Sequence, residues 1–557
     1  MNADMLLQHF DRISEAPDAV ARLRRFILDL AARGKLVKQD SNDEPASELL
    51  KRIQMEKGLR KKNQEQSKSH NFEETFDLPA NWSSVLLITL GTWAIGTGFP
   101  KNEQGNKEGP LLFLKVSDMN LPGNEKYIHS AQNYIDEMAI ARMRAKVHPP
   151  GTIIFPKIGG AIATNKRRIL LRPSAIDNNC LGITFNKEIN IEWAYLLLTT
   201  LNFAQYQVGT AVPALQQSIL EKIPVGLPPL PEQHRIVAKV EELMALCDQL
   251  QAARDEREAQ RDRVVAASLH RIGIAPLAAV EGQDVVSLRD AARFHLDHLT
   301  RFTTRPEHVR QLRQTILNLA VRGRLVKQIS DCESVSDLFN RIGIKPCNDM
   351  PFPIPESWSW ITVGQIAITR LGKMLDKAKN RGKPRRYLRN VNVRWFDFDL
   401  SDVAEMLFED DELEEFTLRR GDVLVCEGGE PGRAAVWDGR EDEIYFQKAI
   451  HRIRFIEGVD PYFFVNALRE SANSRRLHTY FTGVGIKHFT GKGLASFVFP
   501  LPPIEEQRRI AKAINELMAL CDQLETQLTN IETGNQRLLE AVLRDALVPG
   551  SVFAKVA

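Results

Sequence analysis

The chain of 557 residues contains two copies of one unit, and this internal repeat limits its possible folds more than any other feature. The segment Leu23–Gln39 is identical to Leu312–Gln328 at 12 of 17 positions. A second segment, Leu227–Leu250, is identical to Leu501–Leu524 at 16 of 24 positions. The chain is therefore predicted to fold as a head, a variable domain and a long helix, followed by the same three parts again.

The heads and the variable domains differ in their predicted secondary structure. Leu23, Ile27 and Leu30 recur at helical spacing in the first head. The variable domains contain short β-rich runs broken by Gly and Pro, and between the repeats only scattered anchors recur in order, such as Gly209 with Gly483. We expect a mixed α/β fold, in which two α/β domains are related by a pseudo-twofold axis and separated by an antiparallel coiled coil of long helices. The predicted domains are an N-terminal helical region at 1–72, the first variable domain at 73–230, a central helical region at 231–351, the second variable domain at 352–504 and a C-terminal helix at 505–557.

Each long helix is predicted to begin just after a proline-rich segment and to carry apolar residues at alternating steps of four and three. Such a seam needs a partner, and the simplest partner within one chain is the other long helix, packed antiparallel. Cys247 and Cys521 occupy seam positions, which favours packing over reactivity. The predicted seam residues are Ile236, Val240, Leu243, Cys247, Leu250, Ile510, Ile514, Leu517, Cys521 and Leu524.

The composition is that of a folded protein, with 43% apolar residues, 26% charged residues and a net charge of +3. The six cysteines form no C-x-x-C pair, so neither a disulfide framework nor a thiolate zinc site is expected. No stretch is apolar enough to predict a membrane helix, and the N-terminus does not match a secretion signal. The expected location is the reducing cytoplasm, without a membrane partner.

The near-neutral total hides two oppositely charged segments in the second variable domain. Residues 370–394 contain ten Lys or Arg and one acid, whereas residues 397–415 contain ten acids and no base. A basic segment of this density predicts contact with nucleic-acid phosphates. The alternative is a solvated charged loop that faces an acidic helix. Under the first interpretation, the acidic segment is expected to face away from DNA or toward a partner protein.

The first variable domain has fewer basic residues, and some of them could equally belong to a hairpin turn. Asn and Gln side chains near the repeat anchors could read base edges, although such residues in turns are more often backbone caps. The predicted DNA-binding residues are Lys101, Lys115, Lys157, Lys166, Arg167, Arg168, Lys373, Lys377, Lys379, Arg381, Lys383, Arg385, Arg386, Arg389, Asn392 and Gln447.

The sequence lacks the motifs of the common catalytic classes. It has no Walker A loop, no G-x-S-x-G elbow, no H-E-x-x-H zinc motif and no dinucleotide-binding glycine motif between a strand and a helix. Apart from His295 and His298, the twelve histidines show no spacing typical of metal ligands. We therefore expect no catalytic site, no resident cofactor and no metal site in this chain.

Taken together, these segments resemble the specificity subunit of type I restriction-modification systems. The resemblance rests on the doubled R-x-x-I-L-x-L-A-x-R-G-x-L-V-K-Q heads and the doubled L-P-P-x-x-E-Q-x-x-I helix openings. It also rests on LPANW and IPESW before the variable domains and on CEGGEPGRAAVW within the second. The resemblance implies that the variable domains are target recognition domains. Each would read one half of a bipartite, asymmetric DNA site, while the paired helices would set the spacing.

The same resemblance implies partners for the chain besides double-stranded DNA. Two modification subunits, which bind S-adenosylmethionine and methylate adenine, would dock on the helical regions. Restriction subunits would supply translocation and cleavage that depend on ATP and Mg. This chain itself would be a non-catalytic recognition subunit. The alternative class is a stand-alone, sequence-specific DNA-binding coiled-coil protein, which would bind DNA without a methyltransferase partner.

Overall fold

The structure of the chain is a computed structural model that divides into two compact units. Unit 1 comprises residues 1–255 and 532–557, and unit 2 comprises residues 256–531. Linkers predicted at about residues 54–72 and 270–285 lie largely outside the described residues. The described residues are 13–56, 78–209, 212–274, 283–328, 334–347, 349–376 and 378–547.

Unit 1 places short strands between helical segments, as the sequence periodicity predicts. Its helices are α1 (Ala19–Ala32), α2 (Ala46–Glu56), α3 (Glu137–Met143), α4 (Ile191–Thr200), α5 (Gln217–Leu220) and α6 (Leu230–Ile274), which continues into unit 2. Its strands are β1 (Ser83–Leu86), β2 (Gly91–Ile95), β3 (Leu111–Leu114), β4 (Tyr127–Ile128), β5 (Asn133–Ile135), β6 (Val147–His148), β7 (Ile153–Pro156), β8 (Arg168–Leu170), β9 (Ser174–Ile176), β10 (Cys180–Phe185), β11 (Gln207–Val208), β12 (Ala214–Leu215) and β13 (Pro224–Leu227). Short 3₁₀ helices lie at Leu87–Leu90, Lys101–Glu103, Val116–Asn120, Gly160–Thr164 and Phe203–Tyr206.

Unit 2 repeats this arrangement. Its helices are α7 (Gln283–Asp297), α8 (Leu299–Phe302), α9 (Pro306–Val321), α10 (Val335–Ile342), α11 (Val363–Ile366), α12 (Leu413–Phe416), α13 (Pro461–Asn473), α14 (Gly491–Ala495) and α15 (Ile504–Leu547), which continues into unit 1. Its strands are β14 (Ser359–Thr362), β15 (Ala367–Leu371), β16 (Lys383–Leu388), β17 (Ala404–Phe408), β18 (Val423–Cys426), β19 (Ala434–Val436), β20 (Tyr445–Phe446), β21 (Ile450–Phe455) and β22 (Val498–Leu501). Its 3₁₀ helices lie at Asn390–Asn392 and Arg476–Tyr480.

The two variable domains share a common order of strands, to which unit 1 adds one edge strand in each sheet, β4 and β6. The common order explains why their anchors recur in the same sequence. In unit 1 the strand orders are β2–β10–β7–β8–β4 and β5–β3–β9–β6. In unit 2 the corresponding orders are β15–β21–β18–β19 and β17–β16–β20. Each second sheet contains one parallel pair at the same place, β3 with β9 and β16 with β20. The first and last strands of each domain pair antiparallel, β1 with β13 and β14 with β22. The chain therefore enters and leaves each domain through two adjacent strands.

Glycine ends the head helix in both units because the next part of the chain comes very close. Gly34, after α1, has a φ of +66°, and a Cβ there would lie 2.4 Å from Pro79 Cγ. Gly323, after α9, has a φ of +67° and makes the same approach to Pro355. Only glycine adopts this left-handed conformation without a steric penalty and leaves room for the proline. The repeated R-G pair of the heads therefore fixes where each variable domain begins.

The predicted seam residues are buried or partly buried, and their neighbours lie within their own unit. Ile236, Val240 and Cys247 of α6 share a core cluster with Ile27 and Ala31 of α1. The seam of α15 shares a core cluster with α9 and α13 in the same way. The head helix and the variable domain of the same unit are therefore neighbours of this part of each seam. Leu243, Leu250, Leu517 and Leu524 are partly buried, whereas Ile236, Val240, Cys247, Ile510, Ile514 and Cys521 are buried.

The second half of each long helix lies in the other unit. Leu539 and Val542 of α15 form a small core with Ile13, Ala16 and Ala19 in unit 1. In unit 2, α6 contributes to a corresponding cluster. Because α6 runs from unit 1 into unit 2 and α15 runs from unit 2 into unit 1, the two helices connect the units in opposite directions, as predicted. No helix in the described ranges is both long and apolar enough to cross a membrane. The cluster in unit 2 contains Val265, Leu269 and Ile272, packed by Ala291, Phe302, Leu312 and Leu319.

Candidate nucleic-acid interface

A buried tryptophan–glutamate contact holds each variable domain on its helical scaffold. Trp82, just before β1, donates from Nε1 to Oε1 of Glu232 in the first turn of α6 at 3.0 Å. Gln39 of the head donates to the same oxygen at 2.6 Å. Burial raises the pKa of Glu232, and the two donors act against this rise. The three parts of the unit thus meet at one carboxylate. The corresponding residues of unit 2 are Trp358, Glu506 and Gln328.

Loops from several strands converge at one end of the unit 1 variable domain. The main-chain N–H of Lys157, after β7, donates to the carbonyl of Asn179, before β10, at 2.8 Å. The carbonyl of Lys157 accepts from Leu215 N at 2.9 Å. Thr97, after β2, forms a parallel bridge with Asp177. These main-chain bonds fix the backbone of three loops relative to one another.

The unit 2 variable domain repeats this loop frame bond for bond. The N–H of Glu427 donates to the carbonyl of Ala449 at 2.9 Å, and its carbonyl accepts from Phe489 N at 2.8 Å. Lys373, after β15, forms a parallel bridge with Gln447. Residues that correspond in the topology therefore occupy corresponding places in the two frames.

The side chains carried by the two frames differ in charge and in hydrogen-bonding character. Asp177–Asn179 in unit 1 corresponds to Gln447–Ala449 in unit 2. Half-buried Lys157 corresponds to half-buried Glu427, so a cation in one domain replaces an anion in the other. In unit 1 the amide of Asn179 is held by Asp177 at 2.9 Å. One backbone geometry thus presents two different sets of donors and acceptors, which is the arrangement needed to read two different sequences.

Arg167 and Arg168, predicted to bind DNA, are interior residues of the unit 1 variable domain. Arg167 is 2% exposed, and its guanidinium donates to the carbonyls of Leu198 at 3.1 Å and Leu201 at 3.2 Å. It also lies 4.0 Å from the ring centroid of Phe203. Burial lowers the pKa of Arg167 to about 9. Arg168 is buried as well and donates to main-chain carbonyls. Both arginines satisfy buried acceptors, and this role corrects the prediction of phosphate contact.

The predicted lysines of unit 1 lie nearer the surface. Lys101 is exposed in a 3₁₀ helix after β2. Lys115 Nζ donates to Gln104 Oε1 at 2.7 Å, and Lys166 Nζ donates to the side chain of Asn120. Among these lysines, Lys101 is the one that the structure leaves most accessible to a phosphate.

The basic segment of unit 2 faces the acidic segment. Strand β16, from the basic segment, pairs antiparallel with β17, from the acidic one. Eight of the nine described basic residues of this segment lie within 4.0 Å of a carboxylate, and Lys377 lies outside the described residues. These ion pairs favour the alternative interpretation, in which the basic segment faces acidic residues of its own domain. The expectation that the acidic segment faces away is therefore corrected. The pairs are Arg370–Glu415, Lys373–Glu412, Lys379–Asp376, Lys383–Asp410, Arg385–Glu443, Arg386–Glu441, Arg389–Asp402 and Arg394–Asp399.

The remaining predicted residues of unit 2 serve mostly local structure. Lys373 is buried beside the ring of Phe408, with its Nζ 4.9 Å from the ring centroid. Asn392 is buried and caps the turn after β16 through hydrogen bonds to main-chain groups, which is the backbone-cap role weighed from the sequence. Arg381 is exposed and donates to nearby carbonyls. Gln447 is half-buried on the loop frame, where its side chain remains a candidate for base contact.

Sequence reasoning missed one loop, residues 482–488, which we call the tip loop. Its Gly483 corresponds to Gly209 of unit 1, and both have positive φ values, +97° and +89°. The residue three positions after each glycine is an exposed aliphatic, Val212 or Ile486. The recurring glycine was visible in the sequence, but the exposure of the apolar residue after it was not.

The titratable groups of the described residues form no metal site. No cluster of three or more His, Cys, Asp or Glu that could hold a metal ion occurs among them. Burial raises the pKa of the Cys247 and Cys521 thiols, which makes them poorer nucleophiles and supports the packing role predicted for both. Ser268 Oγ lies 3.0 Å from Nδ1 of His295, whose pKa is lowered by burial.

Comparison with known proteins gives one consistent result. A family model described as the type I restriction modification DNA specificity domain matches residues 94–257 and 355–533, once in each half of the chain. The chain is 26% identical to the type I restriction enzyme EcoAI specificity subunit of Escherichia coli, over 96% of this chain and 94% of that protein. It is 25% identical to the EcoEI specificity subunit of the same species, over 95% and 94%. The crystal structure of the HsdS subunit from Thermoanaerobacter tengcongensis matches with 18% identity and a TM-score of 0.42, over 85% of this chain and 98% of that one.

Proposed function

The chain belongs to the family of type I restriction modification DNA specificity proteins, and we propose that it selects a bipartite, asymmetric DNA site for partner subunits that methylate and cleave DNA. Each of the two family matches covers most of one variable domain and the first part of the long helix that follows it. Each variable domain is accordingly proposed to be a target recognition domain that reads one half of the site.

One observation carries this proposal. The two domains keep the same loop frame, down to corresponding main-chain hydrogen bonds, while the side chains on it differ. Lys157 occupies the position of Glu427, and Asp177 occupies the position of Gln447. Base edges are distinguished by their patterns of donors, acceptors and methyl groups, so different side chains on one frame select different bases. Recognition of two identical half-sites would not require different side chains on the two frames.

The long helices are proposed to set the separation of the two half-sites. Helix α6 has 45 residues and runs without interruption from unit 1 into unit 2. At 1.5 Å per residue it extends about 68 Å. In dimeric DNA-binding proteins, the distance between recognition elements fixes the spacing between half-sites. A continuous helix, anchored at its start by the Trp82–Glu232 contact, is suited to this task.

The chemistry is proposed to belong to partner subunits. Two modification subunits would bind S-adenosylmethionine and methylate adenine, and restriction subunits would use ATP and Mg to translocate and cleave DNA. Burial raises the pKa of the Cys247 and Cys521 thiols of this chain, which disfavours them as nucleophiles. This chain would act by binding and positioning DNA, without catalysing a reaction itself.

Sequencing adenine methylation in cells with and without the gene for this chain tests the proposal. We expect one bipartite motif to be methylated in the parent and unmethylated in the deletion strain, with the modification partner still expressed. Restoring the gene should restore the motif. An unchanged methylome would contradict the proposal. If the purified chain bound a specific DNA sequence but captured no methyltransferase from the cell, the stand-alone DNA-binding protein would be the better description.

A further inference from the structure

The tip loop of unit 2 exposes apolar side chains on a backbone that is tightly defined. Thr482 and His488 exchange two main-chain hydrogen bonds of 2.9 Å and close the loop. A Cβ on Gly483 would lie 2.1 Å from the carbonyl oxygen of Ile486, so this turn requires glycine. Val484 is fully exposed, and the exposed fraction of Ile486 is 74%. A fixed turn therefore holds two aliphatic side chains, two positions apart, in water.

The tip loop belongs to the same face as the loop frame. Phe489, directly after the loop, donates its N–H to the carbonyl of Glu427. Nδ1 of His488 lies 3.5 Å from the position of a Cβ on Gly428. The neighbouring frame loop carries Lys448, whose N–H donates to the carbonyl of Lys373 at 2.8 Å. The end of the tip loop therefore lies beside the proposed base-reading loop.

This surface carries two accessible cations whose partners differ from those of the basic segment. Lys448 Nζ contacts Met374 Sδ at 3.7 Å, and Lys487 Nζ donates to the carbonyl of Gly483 at 2.8 Å. In the ranges that the structure describes, neither ammonium group lies within 4.0 Å of a carboxylate. The basic segment, in contrast, is paired with acids almost throughout. These two lysines are free to exchange a weak contact for a phosphate.

The corresponding place in unit 1 has the same character. Gly209 has a φ of +89°, and a Cβ there would lie 3.1 Å from the carbonyl oxygen of Val212. The exposed aliphatic Val212 stands where unit 2 has Ile486. The frame loops differ in charge between the domains, but this position is aliphatic in both. We therefore expect it to have the same role in each domain.

We propose that the tip loop enters a groove of the DNA, where Val484 and Ile486 contact base edges while Lys448 and Lys487 hold the flanking phosphates. This inference rests on the proposed function and deepens it by naming a specificity-determining loop. Aliphatic side chains recognise the thymine methyl group or wedge against a base step, and ammonium groups neutralise phosphates without reading sequence. The two kinds of residue therefore make separable contributions to binding.

The test compares two variants of the full chain, each purified with its modification subunits and titrated with duplexes that carry the methylated motif. In the variant V484S/I486S, affinity for the motif should fall by about 10-fold, with the dependence on salt unchanged. Altering the half-site read by unit 2 should then cost this variant less than it costs the parent, while altering the other half-site should cost as much as in the parent. In the variant K448Q/K487Q, the slope of log K against log salt should fall by about 1.8, for two lost phosphate contacts.

The control variant is Ile368→Ser, which removes another exposed aliphatic of the same domain, 67% exposed on β15, and should bind like the parent. Unchanged affinity and unchanged half-site discrimination in V484S/I486S would overturn the inference. So would loss of the modification subunits from this variant, because the tip loop would then be a protein contact. Absence of any sequence preference in the parent chain would instead reject the proposed function itself.

Discussion

The two recognition domains use clustered basic residues in opposite ways. In unit 1, Arg167 and Arg168 lie inside the domain and donate to main-chain carbonyls. In unit 2, residues 370–394 lie mostly at the surface and pair with carboxylates, largely from residues 397–415 and 441–443. Both clusters look alike in the sequence, as several Lys and Arg within a short segment. Their roles depend on the acceptors that the fold brings to them, which come from distant parts of the chain.

The comparison also separates what the two halves share from what they do not. The tryptophan–glutamate contact and the loop frame recur in both units with similar distances. The side chains on the frame and the use of arginine differ. The shared contacts hold the domains on the helices and fix the backbone of the loops. The divergent side chains lie on those loops or, like Arg167, in the interior of one domain.

The largest effect is expected for Arg167→Met, which keeps the length of the buried side chain and removes its donors. The carbonyls of Leu198 and Leu201 would lose hydrogen-bond partners, and each buried unsatisfied group costs about 1–3 kcal/mol. We expect the free energy of unfolding of unit 1 to fall by about 3 kcal/mol. Urea denaturation of the full chain, followed by hydrogen exchange in unit 1 peptides, measures this. Lys101→Met, at an exposed position, should stay within about 0.5 kcal/mol of the parent, and an equal loss in both variants would contradict the interior role of Arg167.

An intermediate effect is expected for Trp82→Phe and Trp358→Phe, which keep an aromatic ring and remove one N–H. Each change leaves a buried glutamate with one donor fewer and should cost about 1–2 kcal/mol. Because the contact is the same in both units, the two losses should be equal within about 0.5 kcal/mol. The same denaturation experiment measures both. A loss confined to one variant would show that the scaffold has diverged along with the recognition loops.

Sequence reasoning succeeded where the signal was periodic or repeated. The repeat itself, the helical heads, the long helices and the burial of Ile236 and Ile510 follow from spacing that a single segment contains. It failed where charges found partners from elsewhere in the chain, as with Arg167, whose acceptors lie at residues 198 and 201, and Arg385, which pairs with Glu443. Segment charge records the donors and not the tertiary contacts that satisfy them.

A smaller effect is expected from acid on the unit 2 variable domain. Hydrogen bonds from Ser401 and Arg394 lower the pKa of Asp399, and hydrogen bonding by Arg440 lowers that of Asp438. Because these pKa values are lower in the folded than in the unfolded chain, the stabilisation is present above the ordinary carboxyl pKa near 4 and is lost as pH falls through the folded values. Hydrogen exchange should show the unit 2 variable domain losing protection between pH 7 and pH 3. Asp399→Asn with Asp438→Asn should flatten this dependence, and an unchanged dependence in the double variant would contradict the prediction.

The smallest effect is expected for the change that the sequence alone would rank as largest. If Arg385, Arg386 and Arg389 each contacted a phosphate, replacing all three by Gln would lower the slope of log K against log salt by about 2.7. In the structure these arginines hold Glu443, Glu441 and Asp402 at 2.6–2.7 Å, so DNA would have to displace three carboxylates to reach them. We therefore expect the slope of the triple variant to match the parent in DNA titrations at several salt concentrations. A fall near 2.7 would show that the ion pairs open on DNA and that the two domains use their basic clusters differently only in the absence of ligand.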